Sequence, residues 1–235
     1  MSAGAWGQGV DSIAYKVSLG STGNFTRSND QRGYLFNNLA KASRDGKNLF
    51  WQGTGGWIYS AQSGVKVNND FMAVLESDVL KKQQRLYYWG LGTFDKSFSL
   101  KIDRRIQVGA GVGYTVVDND KGVLVLSDGF LYERGKLTDA ELGYLNYGVW
   151  RNSFRVKYRW TPRPLLTIDG SAFVQPSLFS WDDTIIKAAT TVSFKINKWL
   201  SIMTACTYNR LTLSGRENLI VTYGVTMEHL EIVKR

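Results

Sequence analysis

Trp150-Arg151-Asn152-Ser153-Phe154-Arg155-Val156-Lys157-Tyr158-Arg159-Trp160 is the stretch on which the fold turns. Trp150, Phe154, Val156, Tyr158 and Trp160 fall on even positions, while Arg151, Ser153, Arg155, Lys157 and Arg159 fall on odd ones. A period of two puts successive side chains on opposite faces of a β-strand, so the segment has one oily face and one wet, cationic face. Soluble sheets alternate too. A strand this long with aromatics at both ends, however, matches a tilted strand crossing a bilayer, with lipid on one face and a polar lumen on the other.

Similar segments recur on both sides, and about twelve are expected, in keeping with an all-β, antiparallel, up-and-down transmembrane barrel. Upstream, residues 12–24 carry Ile13, Tyr15, Val17 and Leu19 against Lys16 and Ser18. Residues 47–61 set Leu49, Trp51, Trp57 and Tyr59 against Gln52, Thr54 and Ser60. Residues 69–80 oppose Phe71, Ala73, Leu75 and Val79 to Asp70, Glu76 and Asp78, and 85–94 presents Tyr87, Trp89 and Leu91 with glycines between them. In 100–117, Ile106, Val108, Ala110, Val112, Tyr114 and Val116 face one way and Gln107, Gly109, Gly111, Gly113 and Thr115 the other. Residues 123–133 place Asp128 on the face of Leu124, Leu126, Phe130 and Tyr132, where a carboxylate facing lipid is costly, so a bulge or register shift is expected there. Downstream, segments at 165–175, 184–196, 199–209 and 219–229 complete the series.

The connections add an independent signal. Those near 43–47, 81–84, 118–122, 161–164 and 197–198 are short, whereas polar or glycine-rich stretches near 20–30, 62–68, 95–99, 134–148, 176–183 and 210–218 read as longer loops. Short turns alternating with long loops around an even number of strands is the bacterial outer-membrane pattern, turns periplasmic and loops extracellular. Strand direction then sorts the aromatics into two interfacial bands: Tyr15, Trp51, Tyr87, Trp89, Tyr114, Tyr158 and Trp160 near the short turns, and Trp57, Tyr59, Tyr132, Trp150 and Tyr208 toward the long loops.

Composition agrees. The 235 residues suit one domain, and 24 glycines, 12 tyrosines, 11 phenylalanines and 8 tryptophans against 3 prolines favour strands and tight turns. A soluble β-sandwich is the competing reading of composition alone. No run approaches the roughly eighteen apolar residues of a spanning helix, so any membrane span must be β. Met1–Gly9 has neither a charged n-region nor an apolar h-region, so the export reading expects a mature or trimmed chain. Residues 1–11 are expected to form a flexible or lumenal segment, 12–229 the barrel and 230–235 a tail.

A net charge of +9 would suit nucleic acid, acidic headgroups or an anion path, but the Lys and Arg are scattered along strands and loops without a nucleic-acid motif. The expected partners are therefore the lipid bilayer and lipopolysaccharide, with another outer-membrane or periplasmic protein beside them, and no nucleic acid. No catalytic, cofactor or metal site is expected. One cysteine, Cys206, and one histidine, His229, cannot build a zinc site, and Asp182-Asp183 and Asp118 with Asp120 read as loop and turn residues. The Gly109–Gly113 run lacks the strand-to-helix setting of a dinucleotide loop, and its glycines leave room in a crowded lumen.

The functional residues expected are those of the lumen: Lys16, Arg151, Arg155, Lys157, Arg159, Lys187 and Lys195, with Glu76, Asp78 and Asp169 as counter-charges. Their cationic excess suggests a narrow passive channel for small anionic solutes. Pairing of these charges across the lumen would suit a non-conducting structural or accessory barrel that binds envelope partners through its loops. An outer-membrane lipid hydrolase is the third option, and no serine stands near His229 to support it.

Gly109-Ala110-Gly111-Val112-Gly113-Tyr114, Gly129-Phe130-Leu131-Tyr132-Glu133 and Phe173-Val174-Gln175-Pro176-Ser177 resemble stretches of the salt-induced outer-membrane protein family, an uncharacterised family of bacterial β-barrels, over residues 30–228. The resemblance implies an outer-membrane location and no established enzymatic activity. The family tends to close on a C-terminal aromatic, whereas this chain continues past Met227 to Arg235.

Overall fold

Sustained alternation gives long strands, and the computed structural model, which describes residues 12–28, 31–46, 48–79, 85–139 and 143–234, is built of little else. The strands are β1 (Ser12–Ser28), β2 (Gln31–Asp45), β3 (Leu49–Gln62), β4 (Val65–Val79), β5 (Leu86–Ser97), β6 (Ile102–Asn119), β7 (Gly122–Asp139), β8 (Gly143–Asn152), β9 (Phe154–Arg163), β10 (Leu166–Pro176), β11 (Thr184–Lys195), β12 (Leu200–Leu211) and β13 (Arg216–Lys234). Every pairing is antiparallel between neighbours; β6 pairs β7, and β1 pairs both β2 and β13, so the sheet closes on itself. Closure leaves no lateral edge within the ring.

β8 and β9 are two halves of one strand. Ser127 opposes Arg155 and Phe130 opposes Asn152, a constant register on β7, and Ser153 N donates to Gly129 O across the gap at 2.8 Å. The ring thus has twelve staves, with the eighth interrupted only at Ser153. Above Trp150 the β7–β8 hairpin rises beyond the end of β10, and Leu178 N, donating to Trp150 O at 2.9 Å, is the last main-chain link there.

Turn chemistry sets the rims. At the short-turn rim, Asn119 Oδ1 accepts from Lys121 N and Gly122 N, and Asn197 Oδ1 accepts from Trp199 N and Leu200 N, the side chain standing in for a backbone partner. At the other rim, Ser63 and Gly64 turn β3 into β4 with φ of 49° and 81°. Of the stretches at 20–30 and 134–148, expected as loops, the described residues 20–28, 134–139 and 143–148 are instead strand: β1 and β2 pair out to Ser28↔Gln31, and β7 and β8 out to Asp139↔Gly143. Strands that rise above the hydrocarbon are wet on both faces and lose the alternation that betrays them in sequence. The last strand also outruns its expected end, His229, and pairs with β1 as far as Lys234. The expected N-terminal segment and the turn at 81–84 lie outside the described residues.

The outward face carries exposed apolar side chains on every stave, from Val17 and Leu19 on β1 to Val221, Tyr223 and Val225 on β13. Facing inward are the buried polar residues, among them Arg105, Gln107, Glu133, Arg151, Arg155 and Gln175. This is the reverse of a soluble protein. With a closed sheet it makes the chain an outer-membrane β-barrel, its apolar band covered by lipid. Asp128 brings no bulge: β7 keeps its alternation through it, the nearby irregularity lying on β6 between Thr115 and Val117, and the carboxylate faces outward.

Candidate functional site

Because the strand period is two, one inward residue on each stave fixes the rest. β9 turns Arg155, Lys157 and Arg159 inward; β4 turns Asp70, Glu76 and Asp78 inward; β5 turns Tyr87, Trp89, Thr93 and Asp95 inward. Their charges meet in three clusters.

In the first, Glu76 of β4 receives hydrogen bonds from Arg155 Nη1 and from Lys157 Nζ (2.9 and 3.0 Å), both on β9, four staves away around the ring. The Arg155 guanidinium also lies 5.6 Å from the Trp89 ring and 5.5 Å from the Phe173 ring, so an aromatic wall holds its plane. In the second, Asp95 Oδ2 accepts from Arg105 Nε and Nη2 (3.1 and 2.9 Å) and from Lys187 Nζ (3.3 Å), the lysine reaching from β11. In the third, Arg151 Nη2 donates to Glu133 (3.0 Å) and to both carboxylate oxygens of Asp183 (2.9 and 3.1 Å), while its Nη1 donates to Asp183 O (2.9 Å). Gln107 links the third cluster to Gln175, and Gln175 to Ser153. Arg105, Arg151, Arg155 and Glu133 are all buried, so each partner meets a desolvation cost that water no longer meets.

These clusters are electrically balanced. Five cations (Arg105, Arg151, Arg155, Lys157, Lys187) face the four carboxylates of Glu76, Asp95, Glu133 and Asp183, and buried Asp78, on the same face as Glu76, supplies a fifth. The cationic excess expected of the lumen is therefore not found in these clusters, and the other expected lumen cations lie at the short-turn mouth, where Asp45 and Asp118 also face inward. There Lys16, ion-paired to Glu228 at 3.0 Å, shares the inward face with Lys41, and Arg159, opposite Asp169, and Lys195 share it on the other side.

The β5–β6 turn folds over the opposite mouth and narrows it. Asp70 accepts from Phe98 N (2.7 Å), Ser99 N (3.2 Å) and Ser99 Oγ (2.5 Å), and Lys101 takes a φ of 56° to complete the turn. Held this way, Leu100 packs with Ile102, Ile185 and Leu211 in a buried cluster that joins β6 to β11 and β12. Asn218 of β13 then donates to Ser99 Oγ across the barrel at 3.1 Å. An apolar constriction of this kind resists wetting.

Two of the residues expected at the membrane interface lie in the lumen instead. Tyr87 and Trp89 are 0% and 6% exposed and share a face with Asp78 and Glu76, so they line the interior, not the bilayer. The glycine row explains how they fit: a Cβ on Gly113 would collide with the Tyr87 ring, and one on Gly111 would lie 2.7 Å from Trp89 Cζ2. The other expected interface residues, Tyr15, Trp51, Trp57, Tyr59, Tyr114, Tyr132, Trp150, Tyr158, Trp160 and Tyr208, lie on the outward face. Sequence reasoning put Asp70 on the polar face without giving it a role, and missed Asp95, Arg105, Glu133 and Asp183. Arg105 and Glu133 share the parity of Gln107 and Leu131 and were within reach of the pattern; Asp183, in a loop, carried no periodic signal.

Set beside known proteins, the model of the family described as "Protein of unknown function, DUF481" matches residues 22–218, most of the chain. No curated protein matches by sequence. Among solved structures, the translocator domain of the autotransporter NalP from Neisseria meningitidis is similar at 15% identity, over 95% of this chain and 90% of that one, with a TM-score of 0.53. A NanC porin is similar at 9% identity, over 93% of this chain and 99% of that one, with a TM-score of 0.52. At such identities the likeness is one of fold.

Proposed function

The chain belongs to the DUF481 family, and for this member we propose a narrow passive channel through the bacterial outer membrane for small solutes, with a modest preference for anions. One observation carries the reading: the interior of a closed twelve-stave barrel carries stacked ionic clusters beside its smaller apolar ones. Twelve staves enclose more space than an eight-strand barrel fills with side chains and less than a sixteen-strand porin leaves open. Since the clusters are balanced, and Lys16, Lys41, Arg159 and Lys195 at the short-turn mouth meet as many inward carboxylates in Asp45, Asp118, Asp169 and Glu228, the anion preference rests on the chain's net charge of +9. Fields at an exposed mouth are screened within about 8 Å at physiological salt, so the preference weakens as salt rises.

The NanC porin supports a channel by fold alone. The narrower kinship with salt-induced outer-membrane proteins, read from residues 109–114, 129–133 and 173–177, belongs to the same proposal. So do the partners, namely lipid and lipopolysaccharide around the apolar band and an envelope protein at a rim. The proposal assigns the chain no reaction; His229 faces outward opposite Val17 at the short-turn end.

Balanced charges and bridges across the lumen favour a second reading, a non-conducting barrel that holds partners by its tall hairpins. Planar-bilayer recording of the purified chain separates the two. The channel reading expects small discrete conductance steps and a reversal potential displaced toward the anion in a salt gradient. A silent membrane favours the second reading, and cation selectivity removes the anion preference.

A further inference from the structure

On three neighbouring staves the lipid-facing band ends in charge of one sign. Its upper apolar row there is Phe94 opposite Ile106, with Tyr132 beside Trp150 on the next two strands, all outward and exposed. One same-face step nearer the long-loop rim, about 7 Å along a strand, Lys96 stands above Phe94, Arg104 above Ile106 and Arg134 above Tyr132, with Lys136 a further step up β7. Arg104 and Lys136 are direct cross-strand partners, and Lys96, Arg104 and Arg134 are exposed on the outward face. Among the described residues Asp103, 3.6 Å from Lys136, is the one carboxylate paired with any of the four, and the Lys136 ammonium lies 3.7 Å from the Tyr144 ring. Like charges set opposite each other destabilise a sheet, so such a patch calls for an anion. The rim is not uniformly basic: Arg27 opposes Arg32 on β1 and β2, but Arg210 opposes Glu217 on β12 and β13, and Tyr59 opposes Asn69 on β3 and β4.

Below Lys96 and Arg104 the outward surface dips. Ala73, Leu75, Gly92, Phe94, Ile106 and Val108 border a shallow apolar groove of about 320 Å³ across β4, β5 and β6, the small Ala73 and Gly92 keeping it low between larger neighbours. Charge and groove are stacked as headgroup and chain are stacked in a lipid. The long loops are extracellular, so the patch stands in the outer leaflet, just above the apolar band, at headgroup depth. A free anion or an acidic peptide would meet these cations from the water and leave the groove unused. A lipid with phosphate on its headgroup meets both at once: a phosphate monoester carries about −1.5 to −2 charges at neutral pH, and guanidinium forks match its oxygens.

We propose that the β4–β7 flank binds a phosphorylated glycolipid of the outer leaflet, its phosphate held by Lys96, Arg104, Arg134 and Lys136 and one acyl chain lying in the groove beneath. The proposal rests on the reading of lipopolysaccharide as a surrounding lipid and on nothing about conduction. The test titrates the full chain, folded in detergent, with lipid A carrying both phosphates and with the same lipid stripped of them, and counts bound lipid by native mass spectrometry. Wild type binds the phosphorylated form more tightly. The R104Q/R134Q variant binds that form about thirtyfold more weakly and the stripped form as wild type does, whereas R210Q, away from the patch, changes neither. A Cβ on Gly92 meets nothing within 4 Å, so G92L fills the groove of a folded barrel and weakens both forms. The heat-modifiable band reports folding of each variant, and the wild-type comparison of the two lipids stands without them. Equal affinity of wild type for both lipids, R104Q/R134Q binding like wild type, a G92L variant without effect, or uptake of a soluble acidic peptide as tight as that of the lipid would each overturn the proposal alone. Failure to bind either lipid would remove it together with the lipid reading on which it rests.

Discussion

Replacing Glu76 by glutamine tests the lumen where its charges are most interdependent. The carboxylate serves both Arg155 and Lys157, and the three side chains are 12%, 5% and 29% exposed. At an effective dielectric near 20, opposite charges about 4 Å apart attract by about 4 kcal/mol. Deleting one partner of a buried pair costs about 3–5 kcal/mol, because it leaves its mate buried and unpaired. Lys157 has partial access to water and Asp78 lies nearby, so the lower end applies, about 3 kcal/mol. With a urea slope of about 2 kcal/mol per M, the unfolding midpoint of E76Q falls by about 1.5 M. The assay is urea unfolding in lipid vesicles, read by the heat-modifiable band. Adding R155M, which removes the stranded guanidinium for an apolar chain of similar length, recovers about half of the loss, a coupling only direct contact produces. A loss under about 1 kcal/mol, or strictly additive effects, would refute the claim that Glu76 holds two staves together across the lumen.

Two further outcomes follow from the geometry. Valine at Gly113 drives a side chain into the Tyr87 ring, costing about 1–3 kcal/mol or more and depleting the folded band, and Y87A restores it in the double variant; a folded, unperturbed G113V would return Tyr87 to the membrane side. Alanine at Asp70 removes the three hydrogen bonds that draw the β5–β6 turn over the mouth, so D70A conducts more than wild type in planar bilayers while retaining the folded band; an unchanged or lower conductance would show that the turn is no barrier.

How far the sequence reached depends on the residue. Trp150–Trp160 has large apolar groups on one face and charges on the other, so its orientation was legible, and with it Arg155 and Lys157 in the lumen. Tyr87 and Trp89 were misread because β5 is apolar on both faces, Tyr88 and Phe94 outward and Tyr87, Trp89 and Leu91 inward, so periodicity alone is silent there. Asp95 on the same parity as Trp89, and a glycine row across the way with space for rings, were the available clues. The Glu76–Lys157 pair spans 81 positions, a contact that no local pattern encodes. The tall hairpins were hidden for a different reason, since strands above the membrane are polar on both faces and mimic loops.

The central claim is that lipid, not protein, covers the face bearing Trp150 and Trp160 while Trp89 points inside. Single-tryptophan variants, each keeping one of these three and carrying phenylalanine at the other seven positions, can be refolded into vesicles of lipid brominated along its acyl chains. The account predicts strong quenching of Trp150 and Trp160 and little of Trp89. Equal quenching of all three, or a chain that stays monodisperse in buffer without detergent, would contradict it.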